Sequence, residues 1–140
     1  MIQALGGKLL DYSGEELMRG GAALARLTQI DISDIDPRIK AAHIVVACDV
    51  NNPLCGPRGA SAIFGPQKGA TTEDIEELDK ALANYASVIS KDLKADVAEI
   101  PGAGASGGLG AGLMGFFDAR LRLGADIVLE SVKLQETLID

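Results

Sequence analysis

The sequence contains few of the residues that build disulfide frameworks or metal sites. It has two cysteines, Cys48 and Cys55, and a single histidine, His43. Two cysteines are too few for a disulfide framework or a zinc site, and one histidine leaves the set of metal ligands nearly empty. We therefore expect both thiols to be free, with Cys48 a small buried hydrophobic residue, Cys55 without a role, and His43 structural.

Long apolar runs and basic clusters are also lacking. No run approaches the roughly 20 apolar residues of a membrane-spanning helix, and the chain does not open with the basic and apolar segments of a secretory signal. The formal net charge is −7 at pH 7, so the phosphates of nucleic acid would be repelled. These absences predict a cytoplasmic protein that binds neither nucleic acid nor a membrane.

The composition is that of a folded domain. Of the 140 residues, 47% are hydrophobic and 24% are charged, which is too apolar for a disordered chain. This length suits one domain, and no internal repeat or low-complexity linker divides it. We therefore predict a single domain over residues 1–140.

Strand and helix patterns alternate along this domain. Candidate strands lie at residues 8–11, 43–50, 95–100 and 125–130. The segment 43–50, HIVVACDV, is the clearest because it is β-branched and apolar on both faces, as expected for an internal strand of a covered sheet. The alternation predicts an α/β fold, with a parallel or mixed sheet and flanking helices.

The longest predicted helix spans about residues 72–93. Its apolar residues recur at spacings of three and four, which places them on one stripe facing a core. The stripe consists of Ile75, Leu78, Leu82, Tyr85, Ile89 and Leu93. Thr71 or Thr72 can cap the start of the helix, where the carboxylates of Glu73 and Asp74 are favourable.

A glycine-rich segment, PGAGASGGLGAG, follows the third candidate strand. Gly102, Gly104 and Gly107 match G-x-G-x-x-G, and Glu130 follows at about the distance of the ribose ligand in a dinucleotide-binding fold. Pro101 separates the strand from the first glycine, however, and further glycines follow the motif. Three interpretations stay open: close helix packing, a loop whose amides face an anion, or a nicotinamide dinucleotide site.

One long segment has the composition of a loop. It is residues 48–70, CDVNNPLCGPRGASAIFGPQKGA. Loops of this length are uncommon in a small domain unless they are functional or disordered. Together with the glycine-rich segment, this stretch resembles the type I glycerate kinases. The family pattern is matched by Cys48-Asp49-Val50, Asn52-Pro53-Leu54, Gly59-Ala60 and the run from Phe64 to Ala70. The resemblance covers essentially the whole chain.

The resemblance implies one domain of a larger architecture. Type I glycerate kinases are two-domain α/β proteins more than twice this length, and this sequence is similar to their middle portion. The family's early lysine motif, its Gly-Ser-Ala-Thr-Asn-Asp-Gly-Gly segment and its Thr-Gly-Glu-Gly segment have no counterpart here. Because parts that resemble the nucleotide-binding elements are among these, we expect no glycerate kinase activity from this chain alone.

The reaction that the resemblance implies is the ATP-dependent phosphorylation of a hydroxyl of D-glycerate, with Mg²⁺ required. Asp49, at the carboxyl end of a predicted strand, is the candidate to accept the hydroxyl proton or to hold Mg²⁺. The alternative for Asp49 is a carboxylate that caps a helix or fixes the loop. Lys68 is the candidate to contact phosphate, with Gln67 beside it, and its alternative is an exposed lysine in a turn.

The remaining candidates would bind substrate. Asn51 and Asn52 can hydrogen-bond hydroxyls, although asparagine before proline is also typical of a turn, and Arg58 can pair with both oxygens of a carboxylate. Four candidates lie in the glycine-rich segment: Gly102, Gly104, Ser106 and Gly107. We expect residues 49–69 and 102–108 to converge on one rim, as half of an anion-binding cleft.

Three functional hypotheses follow. The chain is part of a glycerate kinase that binds glycerate and ATP, or a dinucleotide-binding oxidoreductase domain, or a folded module without activity of its own. In the first and third cases, the face that further polypeptide would cover is expected to be apolar and to promote self-association.

Overall fold

Short strands and helices make up the described part of the molecule, which is residues 1–133 of a computed structural model. The strands are Lys8–Leu10 (β1), Gln29–Asp31 (β2), Val45–Ala47 (β3) and Arg120–Arg122 (β4). The α-helices are Ala60–Phe64 (α1), Thr72–Leu93 (α2), Ala105–Phe117 (α3) and Gly124–Ser131 (α4). Short 3₁₀ helices span Ile2–Leu5, Ala22–Arg26, Pro37–Ala41 and Pro66–Lys68. The α/β class predicted from the sequence is confirmed.

Helix α2 is the centre of the hydrophobic core, as its apolar stripe predicts. Leu82, Tyr85 and Ile89 of the stripe are buried. The helix begins with a capping box, in which the Thr71 hydroxyl accepts from Asp74 N while the Asp74 carboxylate accepts from Thr71 N. These reciprocal bonds satisfy backbone donors that a helix start otherwise leaves unpaired.

Polar side chains of α2 hold the 3₁₀ helix Ala22–Arg26 and β2 against it. The Asn84 amide donates to the carbonyl oxygens of Leu24 and Leu27, each at 2.8 Å. Near the end of the helix, an Asp92 carboxylate oxygen accepts from Ile30 N at 2.7 Å. Because these bonds use backbone groups of the second segment, they fix its path as well as its contact with the core.

Glycines allow α3 to approach α2 closely. A Cβ added at Gly112 would lie 2.8 Å from Tyr85 Oη, and one added at Gly115 would lie 2.8 Å from Ile89 Cγ2. Real Cβ atoms do not make contacts that short, so both positions favour glycine for packing reasons. Of the three interpretations of the glycine-rich segment, close helix packing therefore holds for these two residues.

The strands form two separate pairs. β1 and β2 are antiparallel, with Leu9 opposite Ile30, whereas β3 and β4 are parallel, with Val46 opposite Leu121. In the described residues β3 has β4 as its one neighbour, and Val45 is 50% exposed. The prediction of an internal strand over 43–50 is therefore wrong here. An apolar sequence on both faces shows that a strand can be covered, but not what covers it.

Two other predicted strands are also wrong. Residues 95–100 form no strand. Instead Val97 is buried in the core, and Ala98 O accepts a single backbone bond from Leu54 N at 2.9 Å. Residues 125–130 lie in α4, which has no buried side chain. A short apolar run fits a strand or a helix equally well by periodicity, so the sequence could not distinguish them.

The helices offer no membrane anchor of the spanning kind. In the described part of the chain, no helix is both long enough and apolar enough to cross a bilayer.

Candidate active site

Residues 48–70 follow a defined path that is fixed by hydrogen bonds. Leu54 is fully buried in the core, and the Asn52 side-chain amide donates to Arg58 O at 2.8 Å, which closes the turn between them. Gly56 N donates to both carboxylate oxygens of Asp79 on α2, at 2.9 and 3.1 Å. The long segment is therefore held at its buried leucine and at the surface of α2, and it contains α1 and the 3₁₀ helix Pro66–Lys68.

The glycine-rich segment joins this loop through one backbone carbonyl. Asn52 O accepts from Gly102 N at 3.2 Å and from Gly104 N at 3.0 Å. Gly104 also packs directly on the loop, since a Cβ added there would overlap Pro53 O. The two segments singled out from the sequence are thus in backbone contact.

Beyond Gly104 the backbone enters the left-handed region for three consecutive residues. Ser106, Gly107 and Gly108 have φ values of 51°, 71° and 96°. This conformation is easy for glycine and uncommon for serine. Ser106 and Gly107 are exposed, whereas Gly108 is buried, and the bend turns the chain from the loop into the regular part of α3.

A cavity of about 270 Å³ opens where the loop and this bend meet. It is lined by Ala47, Cys48, Asp49, Val50, Phe64, Lys68, Ala105, Ser106 and Gly107. An aspartate, a lysine, a serine and a cysteine are therefore among the residues around the same small space. The structure brings four predicted site residues together there: Asp49, Lys68, Ser106 and Gly107.

Asp49 lies just beyond the carboxyl end of β3, as the sequence predicts. Its side chain is exposed, and Oδ1 accepts from Gly124 N, the first residue of α4, at 2.8 Å. Asp49 therefore caps the start of α4 through Oδ1, which is the alternative role that the sequence suggests for it. Capping with one oxygen does not remove Asp49 from the cavity, since Asp49 is also one of the lining residues.

The other candidates lie outside the cavity lining. Asn51, Arg58 and Gln67 are exposed. Asn52 is half-buried and ties the loop together through both its amide and its carbonyl.

The expectation that the glycine amides face an anion needs correction at three positions. Gly102 and Gly104 are buried, and their N–H groups donate to Asn52 O. Gly107 lines the cavity, but its N–H donates to Gly104 O at 3.2 Å. These amides stabilise the junction of the two segments, so in this conformation they are not available to a ligand.

Comparison with known proteins identifies the family. The model of the glycerate kinase family matches residues 1–140. The chain belongs to the glycerate kinase family. It is 54% identical over 140 residues to a protein named glycerate 2-kinase from Escherichia coli (strain K12), and 49% identical to a glycerate kinase from Halalkalibacterium halodurans. Each match covers all of this chain and 37% of the relative.

A solved structure agrees with this assignment. The crystal structure of a protein assigned as glycerate kinase 2 from Salmonella typhimurium LT2 is 53% identical and superimposes with a TM-score of 0.94. That match again covers all of this chain and 37% of the other. The chain thus spans little more than a third of the length of its glycerate kinase relatives.

The nicotinamide dinucleotide hypothesis is not supported by the structure of this glycerate kinase segment. No strand leads into Gly102, because residues 95–100 are not a strand. Glu130, expected at a strand end as a ribose ligand, lies on α4 and forms an ion pair with Arg122 at 2.7 Å. Without the strand, turn and helix, the G-x-G-x-x-G spacing has no structural basis here.

Three residues that matter to the site were missed in the sequence. Phe64 lines the cavity, and its place in the Phe-Gly-Pro-Gln-Lys run was the one available signal. Asp79 holds the loop through Gly56, which is 23 residues away in the sequence. Gly124 holds Asp49, which is 75 residues away. No local pattern predicts contacts at such separations.

The two thiols and the acidic side chains of the described residues do not form a metal centre. Within residues 1–133 there is no group of three or more histidine, cysteine, aspartate or glutamate side chains that could hold a metal ion. Cys48 and Cys55 are free and half-buried, so the expected burial of Cys48 is partial. Burial raises the pKa of the Cys55 thiol, and the carboxylates of Asp79 and Glu99 raise it further.

Proposed function

We propose that this chain contributes part of the active site of a glycerate kinase, which transfers the terminal phosphoryl group of ATP to a hydroxyl of D-glycerate. The observation that carries the proposal is the cavity at the end of β3, which Asp49 and Lys68 both line. Membership in the glycerate kinase family supplies the reaction class. Both substrates are anionic while the chain has a net charge of −7, so a local cation is needed to attract them.

Phosphoryl transfer depends on alignment and on neutralising charge more than on covalent help. In the proposed reaction the glycerate hydroxyl oxygen attacks the terminal phosphorus, the bond from that phosphorus to the ADP oxygen breaks, and the hydroxyl proton passes to the Asp49 carboxylate. Lys68 places its ammonium group against the phosphoryl oxygens, where negative charge is concentrated. Ser106, another lining residue, is proposed to supply a neutral hydroxyl donor.

The side chains present fit Mg²⁺ bound mainly by phosphate. Magnesium usually keeps several waters and is held by one or two carboxylates together with substrate phosphates. The absence of a three-ligand cluster in the described residues excludes an all-protein cage there, whereas Asp49 offers one carboxylate. When bound, Mg²⁺ would neutralise charge on the phosphate oxygens. As the alternative to accepting the hydroxyl proton, Asp49 would be the ligand of Mg²⁺ in this chain.

The remaining candidates are proposed to act from the edge of the cavity or through its shape. Arg58, with an exposed guanidinium in the same loop, is proposed to pair with the glycerate carboxylate, and Asn51 and Gln67 to bind polar groups of the substrates. Asn52 is proposed to hold the loop in place for binding. Gly102 and Gly104 are proposed to act with it, through backbone contact.

A chimera tests the proposal in a full-length enzyme. In it, this chain replaces the matched segment of the Escherichia coli glycerate 2-kinase, and glycerate-dependent ADP production is measured. We expect Lys68→Ala to lower kcat/KM roughly 100-fold, as for the loss of one preorganised donor. Asp49→Asn should lower kcat by at least about 100-fold, with a smaller change in the KM for glycerate.

Matched controls separate these effects from a general change of charge. Lys80→Ala removes an exposed lysine of α2, and Asp96→Asn neutralises an exposed aspartate that follows α2 in the chain. Neither residue lines the cavity. Both controls should keep kcat/KM within about twofold, as is usual for exposed sites. An inactive parent chimera, or near-parental kcat in both cavity variants, would contradict the proposal.

For the isolated chain we propose a folded module without glycerate kinase activity, which self-associates through an apolar face. A groove of about 760 Å³ on that face is lined by residues that include Ile32, Ile39, Ile44, Val45, Met114 and Phe117. Val128 and Val132 at the end of α4 are each 59% exposed. In a full-length enzyme, further polypeptide would cover such a surface.

Light scattering after size exclusion tests this association. The mass of the isolated chain should rise with protein concentration, and Val45→Lys should reduce the rise by placing a charge on the apolar face. A monomeric mass at every concentration would refute self-association, and robust turnover by the isolated chain would refute its inactivity. A cytoplasmic location and a single domain over residues 1–140 stay predictions from the sequence.

A further inference from the structure

Asp49 and Gly124 come from the ends of neighbouring parallel strands. Ala47 at the end of β3 pairs with Arg122 at the end of β4, and Cys48 N donates to Arg122 O at 2.8 Å. Each chain then continues by two residues, to Asp49 and to Gly124. The parallel register therefore places the two residues side by side, and Asp49 lines the cavity.

The hydrogen bond between Asp49 and Gly124 is short, and the lack of a side chain at Gly124 leaves room for the carboxylate. Gly124 N donates to Asp49 Oδ1 at 2.8 Å. A Cβ added at Gly124 would lie 3.1 Å from Oδ2 and 3.4 Å from Oδ1, so the carboxylate would have to move by a few tenths of an ångström. Gly124 is not among the residues with positive φ. Its backbone suits any residue, so the approach of Asp49 is the reason to have glycine there.

We propose that Gly124 is a positioning residue for Asp49 in phosphoryl transfer, an inference that rests on the proposed function. Its N–H belongs to the first turn of α4, where backbone donors have no partner within the helix. The bond holds Oδ1 and leaves Oδ2 to act on the acceptor hydroxyl. An exposed aspartate would otherwise sample several rotamers, and alignment of the reacting groups is a large part of catalysis.

The hydrogen bond itself is tested in this chain, without any activity measurement. Asp49→Ala should speed exchange of the Gly124 amide hydrogen with solvent about tenfold, as measured by nuclear magnetic resonance. Asp126→Ala, which removes another carboxylate from the first turn of α4, is the matched control and should change the exchange by less than about threefold. An exchange rate that is the same with and without the Asp49 carboxylate would overturn the inference.

The positioning role is tested in the chimera through a double-mutant cycle. Gly124→Ala should lower kcat about tenfold, with the KM for glycerate within about twofold, because displacement of a catalytic group by part of an ångström weakens alignment more than binding. Ala125→Ser, at the next exposed position of the same helix, should leave both values unchanged. In the Asp49→Asn background, Gly124→Ala should lower kcat by less than about twofold more.

The cycle distinguishes positioning from a structural role and from failure of the proposed function. If Gly124 merely supported the fold, Gly124→Ala would lower kcat by the same factor in both backgrounds, which would overturn the inference. If Gly124→Ala kept a near-parental kcat while Asp49→Asn lowered kcat, the inference would also be overturned. The proposed function would then be unaffected. Near-parental kcat for Asp49→Asn would instead refute the role of Asp49, and the positioning role with it.

Discussion

Replacing Gly104 with alanine should test how closely the loop of residues 48–70 and the glycine-rich segment pack. Gly104 has φ −76° and ψ −6°, a conformation that alanine adopts without strain. The obstacle is contact, since the new Cβ would overlap Pro53 O and lie 3.3 Å from Ala60 N. Relieving that overlap requires the loops to separate, which also weakens the hydrogen bond from Gly104 N to Asn52 O.

The expected cost follows from these two effects. Overpacking a well-packed site typically costs about 1–3 kcal/mol, and loss of one hydrogen bond costs about 0.5–1.5 kcal/mol. Gly104→Ala should therefore lower the free energy of unfolding by about 2–4 kcal/mol. Gly107→Ala is the matched comparison, because its Cβ would meet nothing within 4 Å while its φ is 71°. That backbone strain alone should cost about 1 kcal/mol, the lower end for a left-handed residue.

Urea unfolding followed by far-ultraviolet circular dichroism measures both variants. The slope of the free energy of unfolding with urea should be the same as for the parent chain, so that the shift in midpoint reports stability. A Gly104→Ala chain within about 0.5 kcal/mol of the parent, or one more stable than Gly107→Ala, would refute the argument from contact.

Three further predictions concern the core, the start of α2 and the buried thiol. Leu54→Ala should lower the free energy of unfolding by about 2–5 kcal/mol in urea, because Leu54 is fully buried. Hydrogen bonds from Thr71 lower the pKa of Asp74 from 3.8, so the stability they give is complete above that value and is lost as pH falls through the lower folded value. The difference in thermal stability between the parent and Asp74→Ala should therefore be largest near pH 7 and should shrink below about pH 4. Cys55 should react with iodoacetamide more slowly at pH 8 than a small free thiol does, by mass spectrometry, because its raised pKa leaves less thiolate; equal rates would contradict this.

The sequence predicted α2 better than any other element because its signals are local and agree. A stripe at spacings of three and four, a capping threonine and acidic residues in the first turn all favour the same helix. The structure has that helix over Thr72–Leu93. The partner of the cap could also be read from sequence, since Asp74 lies three residues after Thr71.

The strands were harder to predict because burial depends on neighbours far away in the sequence. Residues 43–50 are apolar enough for an internal strand, yet β3 pairs with β4 alone in the described residues. Residues 125–130 contain the same residue types, and they form a helix with no buried side chain. In neither case does the sequence state which surface the apolar residues meet.

For the candidate site, the residue types were predictable and their supports were not. Asp49 follows a predicted strand, Lys68 belongs to the run that resembles the family pattern, and the structure places both on one cavity. Their catalytic roles stay a prediction. Asp79 and Gly124 support the loop and Asp49 through backbone hydrogen bonds across the fold, and such partners become visible once the strands and helices are packed.

Backbone contacts, rather than ion pairs, set the shape of this cavity. Asn52 O joins the loop to the glycine-rich segment, and Gly124 N joins Asp49 to the start of α4. The glycines involved are needed for different reasons: contact with Pro53 at Gly104, a left-handed backbone at Gly107, and the approach of a carboxylate at Gly124. Exposed ion pairs contribute little stability and weaken with salt, whereas the contact at Asn52 O joins neutral backbone groups. The bond from Gly124 N to Asp49 differs, because its acceptor is a carboxylate. The role proposed for the charge of Lys68, which is contact with a phosphate, is separate from these contacts and stays a prediction.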